Sequence, residues 1–96
     1  MSDVVIETEL AAPGGRYVIR KDGEEAELTF SIKSPKLRIA LHTGVPDSFR
    51  GTGAGRALVE KLVEDARAEG FKVVPRCPFV DAMRRRYPDW ADAFFP

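Results

Sequence analysis

From Ala26 to Lys33 apolar and polar residues alternate, with Ala26, Leu28, Phe30 and Ile32 on one side and Glu27, Thr29, Ser31 and Lys33 on the other. A period of two predicts a strand with one face in a core and the other in water. After a Ser34-Pro35 turn, Leu37, Ile39 and Leu41 alternate with Arg38, Ala40 and His42. The same rule sends the first three inward and leaves His42 on the polar face. Upstream, residues 4–10 are mostly β-branched and end at Pro13-Gly14-Gly15, a turn signal. Residues 16–20 form a further strand, and Asp22-Gly23 suits the positive φ angles of a tight hairpin. The first half therefore predicts a four-stranded antiparallel meander.

Past residue 45 the period changes. Leu58, Val59, Leu62, Val63 and Ala66 fall on one face of a helix counted from Gly55, and Gly70 closes it as a C-terminal cap. Residues 71–74 read as a short strand that Pro75 ends, since proline has no N–H to donate. Pro78 is placed to open a second helix running to Arg86, with Phe79, Met83 and Tyr87 on one face. Residues 88–95 predict a short aromatic tail helix with Trp90 and Phe94 one turn apart. A strand–helix–strand crossover makes the last strand parallel to the fourth, with the helix on one face of the sheet. The fold class is α+β, and residues 1–96 are expected to form a single domain.

Composition narrows the function classes. Fifteen basic and fifteen acidic residues cancel, and the charges do not segregate: residues 1–36 carry five basic and seven acidic groups, residues 37–80 seven and five, and residues 81–96 three and three. Proteins that grip nucleic acid gain affinity by neutralising phosphates, so this balance argues against that class. Any bound anion is then small and held by local geometry. No apolar run is long enough to span a membrane, and no basic segment precedes an apolar one at the N-terminus, so neither membrane nor secretion is expected. Cys77 is the only cysteine, which excludes an internal disulfide and a multi-cysteine zinc site and suits a reducing cytoplasm.

The segment Arg50-Gly51-Thr52-Gly53-Ala54-Gly55-Arg56 lies between a predicted strand and a long helix. Its glycines let N–H groups point one way without side chains in the path of a ligand, and the helix adds its positive dipole end. It lacks the Gly-Lys-Ser/Thr of a P-loop and the Gly-x-Gly-x-x-Gly spacing of dinucleotide folds. It satisfies Arg-x-x-Gly-x-Gly through Arg50, Gly53 and Gly55. With His42-Thr43-Gly44-Val45-Pro46, Ala57-Leu58-Val59, the segment from Val73 to Val80 containing Cys77-Pro78-Phe79, and the hairpin from Asp22 to Leu28, this resembles the minimal, single-domain branch of the GNAT N-acetyltransferase superfamily over residues 16–90.

The resemblance implies acetyl-CoA as cosubstrate, its pyrophosphate contacted by Arg50, Gly51, Thr52, Gly53, Ala54, Gly55 and Arg56, and its pantetheine arm passing Val45 in a gap between the fourth and fifth strands. Gly44, which invites a bulge, and Pro46 and Pro75, which end pairing, agree with such a gap. It further implies transfer of acetyl to an amine. The absence of walls around the acceptor site favours an amine on a macromolecule such as a protein, and the alternative is a CoA-binding or protein-interaction module without turnover. Two positions depart from the family pattern. Gly44 stands where the branch usually has glutamate, and Arg84-Arg85-Arg86 occupies the part of the last helix where larger relatives carry a tyrosine acid. The arginine run is expected to be a solvated helix face, and Trp90, Phe94 and Phe95 core or lid packing. Cys77, capping the last helix beside Arg76, is the candidate nucleophile, and His42 is the candidate proton acceptor.

Overall fold

The computed structural model describes residues 5–96. Strands β1 (Glu7–Ala11), β2 (Gly14–Lys21), β3 (Glu24–Ser34) and β4 (Leu37–Gly44) form the expected antiparallel meander. Helix α1 (Ala54–Glu69) crosses one face and returns the chain as β5 (Lys72–Pro75), parallel to β4, in a sheet of order β1-β2-β3-β4-β5. Helix α2 (Pro78–Arg86) and a 3-10 turn at Pro88–Ala93 complete the α+β fold. No helix among the described residues is long and apolar enough to cross a membrane. The expected first strand begins three residues late; of that expectation, Val4 lies outside the described residues.

The core sits between the sheet and the helices. Tyr17, Ile19, Ala26, Leu28 and Phe30 face Leu58, Val59, Leu62, Val63 and Ala66 of α1, all of them buried. Burial of these side chains contributes roughly 1.5–3 kcal/mol for each large one. Gly70 caps α1 at φ +79°, and Asp22 and Gly23 take φ +52° and +81° in the β2–β3 turn, as their types allow. Trp90 and Phe94 pack into the core, and Phe94 extends the sheet by a parallel bridge to Val73. Phe95 is exposed instead.

Three expectations about side-chain placement fail, each for a local reason. Gly14 and Gly15 are not turn residues: they lie inside β2, and a Cβ on Gly14 would sit 2.0 Å from the Phe30 carbonyl oxygen. They are glycines because neighbouring backbone approaches too closely for a side chain. In β4 the expected facing is inverted. Ala40 is fully buried against Phe30, whereas Leu41 is exposed and Leu37 and Ile39 are only half-buried. Arg38 takes the core side at the sheet's edge, its guanidinium 4.1 Å from the Phe71 ring and 5.0 Å from Phe30, with Glu69 3.2 Å away. Delocalised charge over aromatic faces, with a carboxylate beside it, lets an arginine stand where alternation alone would place an apolar residue. In α2 the buried residue is Val80, and Phe79 is exposed.

The sheet face away from the helices is open and carries an ion-pair lattice. Arg16 binds Glu9, Glu25 and Glu27 at 2.7–3.0 Å, and Arg20 binds Glu7, Glu9 and Glu25. Hydrogen bonds from Arg20 and Arg16 hold the Glu9 and Glu25 carboxyls below their ordinary range. Val18 lies among these pairs by register and is fully buried on this otherwise polar face.

Candidate active site

β4 outruns β5. Their last paired residues are Ala40 and Pro75; Cys77 N–H then donates to Ala40 O at 2.9 Å, and the chain leaves the sheet as α2. Leu41 to Gly44 continue with β3 as their strand partner, so the two strands part at this point. The irregularity sits at Leu41, between the pairs Thr29–His42 and Phe30–Ala40, rather than at Gly44. One extra residue shifts the side-chain parity, which puts Thr43 on the same face as Ala40. Thr43 Oγ1 meets Cys77 Sγ at 3.3 Å as the strands diverge. Cys77 is 3% exposed and occupies the N-cap of α2 at φ −68°, ψ 125°, with Pro78 next, as the sequence leads one to expect.

His42 stands elsewhere. It is exposed, pairs with Thr29, and lies on the open face of β4 with its ring nearest Gly44. No hydrogen bond joins it to Cys77 among the described residues. The two candidate catalytic side chains therefore flank the strand from opposite faces, and the partner the thiol has is Thr43. The alternation of Leu37, Ile39 and Leu41 extends to Thr43, but in the structure Ala40 takes the inward side and it is the bulge at Leu41 that turns Thr43 inward. Beside Gly44, Val45 and Pro46 border a cleft of about 410 Å³ that Arg16, Glu25 and Glu27 close on the other side.

The glycine loop is gathered at the N-terminus of α1. A 3-10 turn at Asp47–Phe49 buries Phe49 as an anchor, and Thr52 Oγ1 donates to Phe49 O at 2.6 Å while accepting from Ala54 N–H at 3.2 Å. Gly51 and Gly53 take φ +80° and +76°, a region costly for any residue with a Cβ. Gly55 has a different reason to be glycine: a Cβ there would lie 2.8 Å from Cζ of Phe79, so it admits α2 rather than a turn. The N–H groups of Gly51, Gly53, Gly55 and Arg56 find no acceptor among the described residues.

The start of α1 inverts the usual helix rules. The N-cap is glycine without a side-chain bond, the first turn has no acidic residue, and Arg56 places a cation at the positive end of the dipole. Arg50 stands beside it, mostly exposed, with only a 3.6 Å contact to Asp47. Free N–H groups and a helix dipole gather here beside Arg50, and the first turn of α1 holds no acidic residue. Such a set is complementary to a phosphate or pyrophosphate.

A glycine-rich strand-to-helix loop thus stands beside two parting parallel strands, and comparison with known families gives this arrangement its class. The family model described as GCN5-related N-acetyl-transferase matches residues 16–93, and the chain belongs to that family. No curated protein gives a match. The matched span runs from β2 through the last 3-10 turn and takes in the loop, Thr43 and Cys77. Family membership supports acetyl transfer in general.

Proposed function

We propose that the chain is a single-domain, acetyl-CoA-dependent N-acetyltransferase that acts on an amine carried by a macromolecule in a reducing compartment such as the cytoplasm. The observation that carries this reading is the cluster of unpaired N–H groups and arginines at the start of α1, which is an energetic liability without an anion. The pyrophosphate of acetyl-CoA supplies that anion. Its pantetheine arm fits the divergence of β4 from β5 beyond Ala40–Pro75, where strand edges need hydrogen-bond partners that its amides provide. The thioester then lies toward Thr43 and Cys77.

In the transfer, the acceptor nitrogen forms a bond to the acetyl carbonyl carbon, the carbon–sulfur bond breaks, and the proton lost by the amine passes to the departing CoA thiolate. An acceptor that arrives as an ammonium loses one proton before it attacks, and His42, on the open face beside Gly44 and without contact to Cys77, takes that proton. A covalent route inserts one step: the Cys77 thiol takes the acetyl group and releases CoA thiol, and the amine then attacks the acetyl-cysteine.

Acetyl-CoA is expected to raise the melting temperature of the folded chain; at a hundred times Kd the stabilisation is about 2.7 kcal/mol. No shift at millimolar acetyl-CoA overturns the reading. Turnover with protein and peptide amines separates an enzyme from a CoA-binding module. Mass spectrometry after incubation with acetyl-CoA tests the covalent route through an acetyl adduct on Cys77. Full turnover by Cys77→Ala excludes it.

A further inference from the structure

Two guanidiniums from different helices converge on one aromatic ring. Cζ of Arg56, in the first turn of α1, lies 4.9 Å from the centroid of Tyr87, and Cζ of Arg86, in the last turn of α2, lies 5.9 Å from it. Trp90 stacks on the same ring, with centroids 4.7 Å apart and 30° between planes, and is itself 8% exposed.

Neither guanidinium has a carboxylate within ion-pair distance among the described residues, whereas Arg16, Arg20, Arg38, Arg67, Arg84 and Arg85 each hold one. The contrast is sharpest on α2 itself. Asp81 takes Arg84 and Arg85 at 2.5 and 2.7 Å, three and four positions along the helix, and leaves Arg86 out. The sequence expectation of a uniformly solvated arginine run thus splits into two neutralised residues and one free one. A cation is favoured by the dipole at Arg86 but opposed by it at Arg56. Two like charges gathered at one rigid tyrosine, with no protein anion between them, are complementary to a compact dianion.

We propose that Arg56 and Arg86, with Tyr87 as the shelf between them, bind the 3′-phosphate of the CoA ribose and make the chain discriminate CoA thioesters from those lacking that group. This rests on the acetyl-CoA reading above. CoA carries, one ribose away from its pyrophosphate, a phosphomonoester with a charge near −2 at neutral pH. Arg56 adjoins the N–H groups assigned to the pyrophosphate, yet its guanidinium leans to Tyr87 and Arg86, a step to one side.

The test is calorimetric titration of the folded chain with CoA and with 3′-dephospho-CoA at low salt. The wild type is expected to bind CoA at least about tenfold more tightly, from charge-assisted contacts to phosphate. In R56Q and R86Q the ratio of the two affinities falls toward one, with R86K retaining part of it. R84Q, whose guanidinium belongs to Asp81, keeps the wild-type ratio. Raising the salt concentration shrinks the ratio in the wild type more than in R86Q. All three glutamine variants alter exposed or half-exposed side chains, and melting temperatures verify their fold. Equal wild-type affinity for the two ligands overturns this proposal alone, as does an R86Q variant that weakens both ligands in the same proportion. A folded chain that binds neither overturns the acetyl-CoA reading with it.

Discussion

Three glycines of this chain are glycine for separable reasons, and single alanine substitutions distinguish them. Gly53 and Gly70 bracket α1 at φ +76° and +79°, and a Cβ at either would meet nothing within 4 Å. Their alanine variants therefore carry backbone strain and no clash. The left-handed region costs a residue with a Cβ about 1–2 kcal/mol. For a domain of this size each kcal/mol lowers Tm by about 4–8 °C. Gly55→Ala is the opposite case. Its backbone is helical, so alanine gains up to about 1 kcal/mol of helix propensity, but the new Cβ lies 2.8 Å from the tip of the Phe79 ring. Phe79 is 38% exposed, so the ring can swing outward, and the propensity gain offsets most of that displacement. Urea unfolding should accordingly give Gly53→Ala and Gly70→Ala similar losses and Gly55→Ala little change. Ligand titration then separates the two strained variants. Gly53→Ala re-aims the N–H groups at the start of α1 and loses acetyl-CoA affinity. Gly70→Ala, at the far end of the helix, keeps it. A Gly55→Ala variant less stable than Gly53→Ala would refute the reasoning, because it would mean that packing rather than φ governs this end of the helix.

Two further predictions concern groups outside the site. Hydrogen bonds from Arg20 and Arg16 hold the Glu9 and Glu25 carboxyls below their ordinary value of 4.5, so their pairing contributes stability above that pH that is lost as pH falls through the lower folded values. Arg20→Gln should therefore be less stable than the wild type at neutral pH, with the difference closing as pH falls below 4.5 through the lower folded values, and in high salt; a constant difference across an acid titration would show that Arg20 acts through packing alone. Tyr17 is fully buried and donates to Asp65 Oδ2 at 2.7 Å, and burial first, then this bond, pushes its phenol pKa upward. Tyr17→Phe should cost about 1 kcal/mol, since Asp65 keeps Lys61 at 3.1 Å, whereas Asp65→Leu strands a buried hydroxyl and should cost about 1–3 kcal/mol in denaturant unfolding. Equal losses would contradict that asymmetry.

Most of the architecture is legible because most elements obey a single local rule. The stripe from Leu58 to Ala66 has one periodicity, the alternation from Ala26 to Ile32 has another, and Gly70 and Asp22-Gly23 mark ends that their φ angles require. Misreadings arise where a second interaction overrides the rule. Gly14 and Gly15 look like a turn because glycine pairs usually are, yet the constraint on Gly14 is the Phe30 carbonyl across the sheet, which no window of sequence contains. Leu37, Ile39 and Leu41 look like an inward face until Arg38 finds Phe71 and Glu69 from distant parts of the chain.

The site divides along the same line. The half proposed to bind the anion is local: Arg50 to Arg56 are contiguous, and their backbone geometry follows from their glycines. The catalytic half is not, because the facing of each residue on β4 depends on one bulge. Without the bulge at Leu41, strict alternation after Ala40 would send His42 inward toward Cys77 and Thr43 to the open face. With it, Thr43 reaches Cys77 and His42 stays on the open face beside Gly44. The missing side chain at Gly44 is thus a consequence-bearing absence on the open face: the cross-strand neighbour there is Glu27, whose carboxylate is bound by Arg16 at 2.7 Å. On the proposed reading, an acceptor amine entering from that side would meet His42 and a neutralised glutamate, and would reach the thioester through the break between β4 and β5. That separation of proton acceptor from thiol favours direct attack by the amine over a relay in which His42 serves Cys77. An acetyl adduct on Cys77 that forms equally fast in His42→Gln would fit this geometry, because the thiol's own partner is Thr43.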